Sequence, residues 1–212
     1  MAHRTFQLLN RNQLSFYISS LLFVCYYVFC YLVPPQPNDS NQLHEWLLES
    51  KTYLQIADEV LIFAVLALLP SIYILGNPWK KETQPTILFS SGLFFLLVIP
   101  MFVLLDLLIG RLVYPVNSYP LTKDSMIVYL SLITGTEHMI SLVMALAILL
   151  FSISFRKQTK GGMVFVVGIV TFGLQIIASF SWLISPGLLL LCRLSFPIWL
   201  VLAGFLLSKN KN

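Results

Sequence analysis

Six stretches of this chain stay apolar for about twenty residues or more, and short polar stretches separate them. They run roughly Leu14–Val33, Ala57–Leu75, Thr86–Ile109, Met126–Phe155, Gly162–Ile184 and Gly187–Leu207. A helix rises about 1.5 Å per residue, so twenty apolar residues cover the roughly 30 Å hydrocarbon layer of a bilayer. The pattern predicts an all-α polytopic membrane protein with six transmembrane helices in a single domain over residues 1–212. The runs are too long and uniform for the alternating strands of an outer-membrane barrel. The first run follows a polar, basic start from Met1 to Gln13 and has no A-x-A-like cleavage site after it, so it reads as a retained span.

Lysines and arginines in the connecting stretches set the orientation. Nine of them (Arg4, Arg11, Lys80, Lys81, Arg156, Lys157, Lys160, Lys209 and Lys211) fall on one side, and Lys51, Arg111 and Lys123 fall on the other. Both termini are therefore expected in the cytoplasm. The outer connection at 34–56 is the longest. It opens Pro34-Pro35-Gln36-Pro37, which breaks a helix, and Asn38, Asp39 or Ser40 then supplies a helix cap. Leu43, Trp46, Leu47 and Leu54 recur near helical spacing, with His44, Glu45 and Glu49 between them. That pattern fits an amphipathic helix at the outer surface, with Trp46 at headgroup depth, acting as a plain connector or as a lid. Asn38-Asp39-Ser40 is also a glycosylation sequon, meaningful in a eukaryotic source.

Composition agrees with the pattern. The chain is 58% hydrophobic and 10% charged, against about 25% charged in soluble domains. The net charge of +4 would raise the question of nucleic acid in a soluble protein. Here the basic residues sit in topogenic loops, so nucleic-acid binding is rejected. Cys25, Cys30 and Cys192 all fall in apolar runs, which argues against a disulfide framework.

The informative residues are the ionisable ones inside spans. Arg193 interrupts the run Leu188 to Phe196, and a charge at that depth costs at least roughly 2.5 kcal/mol on insertion scales. Its expected partner is Glu137. Counting helix rise from the outer ends places Glu137 about 16 Å in, Arg193 about 10 Å in and Gln175 about 13 Å in. His138 stands beside Glu137, and a lone histidine in a span is more often an interhelical contact than a ligand. Asp106, Asp58 and Glu59 stand nearer the outer mouth, and the cytoplasmic halves of the spans carry no ionisable residue. This asymmetry predicts a pocket open to the outside. Its ligand-binding set is Glu137, Arg193, Gln175, His138, Asp106, Asp58 and Glu59, and the excess of acids favours a cationic or proton-linked ligand. Pro197 removes the hydrogen bond to the Arg193 carbonyl four residues earlier and predicts a kink beside the buried charge.

There is no H-E-x-x-H pair, G-x-S-x-G elbow, P-loop or C-x-x-C, and His3, His44 and His138 are scattered. No cofactor, metal or catalytic residue is expected. The third span exits through Gly110-Arg111-Leu112-Val113-Tyr114-Pro115, and the last helix ends Pro197 to Gly204 before a basic tail. In these features the chain resembles small bacterial multi-pass membrane proteins of unknown function, and the resemblance implies a bacterial plasma membrane. Three readings follow. The first is a transporter-like or receptor-like protein whose outward pocket binds a small or amphiphilic ligand. The second is an accessory subunit with a membrane protein partner and a structural charge pair. The third is an intramembrane enzyme acting on lipid. In all three, membrane lipids surround the chain.

Overall fold

The computed structural model describes residues 2–37, 39–75, 85–114, 121–156 and 161–209. Asn38 of the sequon, Pro115, and the basic residues Lys80, Lys81, Lys157, Lys160 and Lys211 lie outside the described residues. Six helices carry the fold: α1 (Ala2–Leu32), α2 (Leu43–Leu75), α3 (Pro85–Val113), α4 (Lys123–Phe155), α5 (Gly161–Ser179) and α6 (Pro186–Lys209). All six contain a stretch long and apolar enough to cross a membrane. Each helix packs on its neighbours in the chain, and α6 packs back on α1, so the six close into a ring. Their alternating directions put both termini on one face. The α1–α2, α3–α4 and α5–α6 connections lie on the other, called here the loop face.

Aromatic side chains fill the ring's interior. Phe23 of α1 lies 5.1 Å from Phe102 of α3 and 5.2 Å from Phe196 of α6, ring centre to ring centre. On the terminal side of that layer, Trp199 of α6 meets Phe95 of α3 at 5.7 Å and Phe151 of α4 at 5.3 Å. Such pairs contribute about 0.5–1.5 kcal/mol each beyond the area they bury. They make the centre of the bundle a packed plug. Lipid offers no hydrophobic drive for helices to associate, so close packing and interhelical hydrogen bonds must hold them. Serines supply several of these bonds. Ser19 Oγ donates to the Ala64 carbonyl (3.0 Å), Ser91 Oγ to Ala147 (2.8 Å) and Ser20 Oγ to Pro197 (2.7 Å).

The outer connection differs from its expected form. Asp39 does cap a short 3-10 turn at Ser40–Gln42, accepting from the Asn41 amide, but that turn runs straight into α2. The residues read as a separate surface helix are the first turns of α2, which is 33 residues and about 50 Å long. Trp46 is not a headgroup anchor. It is buried with Leu43 and Leu47 against Leu112 and Val113 of α3 and Met126 and Leu130 of α4, and its Nε1 donates to the Pro34 carbonyl at 2.8 Å. The amphipathic face found protein to cover it, so no break was needed between surface and span. Hydropathy placed the start of the second span at Ala57 because the first turns are polar on their other side. The fifth helix likewise stops at Ser179, and a 3-10 turn at Ser181–Leu183 completes the passage to α6.

One contact gives a direct test of the packing. A Cβ on Gly168 of α5 would collide with Ser152 Oγ of α4 and lie 2.6 Å from the Ser152 Cβ, whereas a Cβ on Gly173 would meet nothing within 4 Å. Gly168→Ala is expected to lower stability by about 1–3 kcal/mol through overpacking, while Gly173→Ala is neutral or slightly stabilising. Thermal unfolding of the two purified variants beside the wild type checks this ordering.

Candidate functional site

Arg193 and Glu137 meet. Arg193 Nη2 donates to Glu137 Oε2 at 2.7 Å. The pair joins α6 to α4 across the interior of the ring, since these two helices are not ring neighbours. It sits one turn toward the loop face from the Phe23–Phe196 layer. Arg193 is seven residues, about 10 Å, inside the start of α6. Tyr26, Tyr27 and Cys30 of α1 come within electrostatic reach of both charges. Cys30 is only two residues from the end of α1, so the site lies in the loop-face end of the bundle. Tyr26 is buried, and its hydroxyl is set against the Cys30 thiol, a weak hydrogen-bonding partner. The Arg193 and Glu137 side chains as a whole, aliphatic stems included, retain 11% and 20% exposure. A charged group showing surface at this depth is tolerable where that surface meets water and very costly where it meets lipid tails.

A groove opens on the loop face, and neither Glu137 nor Arg193 is among its lining residues. It has a volume of about 420 Å³ and is lined by Gln36, Pro37, Ser40 and Leu43 from the α1–α2 connection and by Ile127, Leu130, Ser131 and Thr134 from α4. Thr134 stands three residues from Glu137 and four from His138, so the α4 face that walls the groove continues inward to the charge pair.

The other expected site residues occupy different interfaces. Gln175 is buried between α5 and α6, where its Nε2 donates to the Cys192 carbonyl (3.1 Å) and to Ser195 Oγ (3.2 Å), leaving Oε1 without a partner. His138 turns to α5: its Nδ1 lies 2.7 Å from the carbonyl of Ser179, the last residue of that helix, and its ring packs on Phe180 and Trp182. That is the interhelical role, satisfying one of the carbonyls a helix end leaves open. Asp58, Glu59 and Asp106 form a separate acidic group between α2 and α3. Asp58 packs 3.2 Å from where a Gly110 Cβ would be, and Asp58 Oδ1 and Asp106 Oδ1 are both buried without a partner. Tyr114 Oη donates to Glu59 Oε1 at 2.7 Å, and that bond is the first cause of its hydroxyl pKa being pushed up to about 12. Among the described residues, no three His, Cys, Asp or Glu side chains converge to hold a metal ion.

Sequence reasoning therefore found the central pair and missed its surroundings. Tyr26 and Tyr27 were counted as part of an apolar run and Cys30 as a small hydrophobe. Their i,i+4 pairing, Tyr26 with Cys30, was the available signal. Ser131 and Gln36 carried none.

Removing one member of a desolvated ion pair strands the other, at a cost of about 3–5 kcal/mol, whereas replacing both with apolar residues is often neutral. Arg193→Leu alone is expected to lower thermal stability strongly, and Arg193→Leu with Glu137→Leu to recover most of the loss. Unfolding curves of the single and double variants measure it.

Set against known proteins, the chain matches no family model, no curated protein and no solved structure.

Proposed function

We propose that this is a multi-pass protein of a bacterial plasma membrane, with both termini in the cytoplasm, whose outward-opening groove binds a small or amphiphilic ligand. The role is transporter-like or receptor-like. Glu137 and Arg193 form the charged base of the site, Tyr26 stands beside them, and Ser131 and Thr134 line the approach. The observation that carries this reading is the residual exposure of a charge pair one turn along α4 from a groove-lining residue, Thr134. A pair serving only to lock helices gains by being sealed. Here aromatics close the terminal side, and the groove-lining Thr134 stands one turn from Glu137 toward the loop face. The groove's size falls within the roughly 300–1,000 Å³ of small-molecule sites. Orientation rests on the basic residues of the sequence, which put the loop face outside.

A second reading has its own support. The pair ties α4 to α6, two helices that do not otherwise pack side by side, and this is what a purely structural lock in an accessory subunit would do.

Native mass spectrometry of protein released from lipid nanodiscs separates the two. The ligand reading expects a small molecule or lipid retained on the wild type and lost from folded Glu137→Gln. A bound protein partner, or the same lipids on both samples, favours the accessory subunit and contradicts the ligand reading.

A further inference from the structure

We infer that the site recognises a zwitterion, a ligand carrying an ammonium group and an oxyanion (carboxylate or phosphate) a short distance apart. The inference rests on the ligand-pocket reading above and names its ligand class.

Charge balance is the first argument. The site carries one positive and one negative group, joined by a single Nη2–Oε2 contact. The eight groove-lining residues include no ionisable side chain. A simple cation entering here is attracted by Glu137 and repelled by Arg193 at nearly the same distance, and a simple anion meets the reverse. The two effects largely cancel. A zwitterion lying antiparallel to the pair is attracted by both.

Unused hydrogen-bonding capacity is the second. A guanidinium has five N–H donors, and a carboxylate has two oxygens with two lone-pair sites each. The contact between the pair occupies one nitrogen and one oxygen, and both side chains keep surface exposed. Tyr26 adds a buried hydroxyl, held only by the weak Cys30 thiol partner, within electrostatic reach of both charges. Arg193 and Tyr26 thus offer donors suited to an oxyanion, and the free oxygen of Glu137 offers an acceptor suited to an ammonium.

The groove supplies the rest. Pro37, Leu43, Ile127 and Leu130 give it an apolar side, and Gln36, Ser40, Ser131 and Thr134 give it hydroxyl and amide groups. That lining suits a ligand with a neutral, partly apolar body behind its charged end. A zwitterionic lipid head group and a free small zwitterion both have this chemistry.

The test uses the full chain in nanodiscs containing equal amounts of phosphatidylethanolamine and phosphatidylglycerol with matched acyl chains, followed by native mass spectrometry. The wild type should retain the zwitterionic lipid over the anionic one by about tenfold or more. Glu137→Gln leaves a net positive site and should reverse that preference, which loss of a merely structural bond would not do. Ser131→Trp fills the groove without touching the pair and should release the bound lipid. If no lipid is retained, phosphoethanolamine added free in solution should give a mass adduct on the wild type, which identifies a free zwitterion as the ligand. Equal retention of both lipids in wild type and Glu137→Gln overturns the zwitterion inference while leaving a ligand pocket. Absence of any adduct, with lipid or with phosphoethanolamine, overturns the pocket reading as well.

Discussion

A guanidinium inside an apolar bundle needs a counter-charge, and in this protein Glu137 provides it from across the ring. Much of the architecture near the loop face follows from that pairing. It requires α4 and α6 to face each other although α5 stands between them in the chain. It requires α1 to end nearby, so that Tyr26, Tyr27 and Cys30, rather than more leucine, surround the charges. The aromatic plug begins one turn further in and closes the terminal side. Pro197 lies one turn beyond Arg193, and its own carbonyl takes a hydrogen bond from Ser20 of α1, which ties this part of α6 to the wall of the ring.

The bundle is uneven at the loop face. Helices α2 and α4 are each 33 residues long, well over the span of a hydrocarbon layer, and their first turns rise together with the end of α3 around a small core of their own. On the other side, α1 ends at Leu32, two residues beyond Cys30, α5 ends at Ser179 beside His138, and α6 begins seven residues before Arg193. The groove is a product of this step: one wall is α4, the other the proline-rich connection that Trp46 pins in place through Pro34. A connection that looked like a surface strap is thus part of a wall.

The fold was largely legible in the sequence because twenty-residue apolar runs have one physical solution in a membrane. The Arg193–Glu137 pairing was legible for a related reason: few buried charges were present, and each needed a partner. Two things were not legible. One was the continuity of α2, since hydropathy ends a span where polar residues begin even when the helix continues and its apolar face packs on protein. The other was convergence. Depth along separate helices does not fix which way each side chain turns, and the structure sends His138 to the end of α5, Gln175 to α6, and Asp58, Glu59 and Asp106 to the α2–α3 interface. The expectation of one electronegative pocket came from adding charges that occupy different interfaces. Tyrosines within apolar runs stayed invisible because their hydroxyls matter only once a charge is known to lie beside them.

The central claim is that the charge pair faces water from the side opposite the termini. Thr134 lines the groove one turn above Glu137, so its accessibility reports on that claim directly. Thr134→Cys, in a chain with Cys25, Cys30 and Cys192 replaced by alanine, would be exposed in oriented membranes to a membrane-impermeant thiol reagent on each side in turn. The account predicts modification from the loop-face side alone. A cysteine that stays unmodified, or reacts only from the side of the termini, would contradict it.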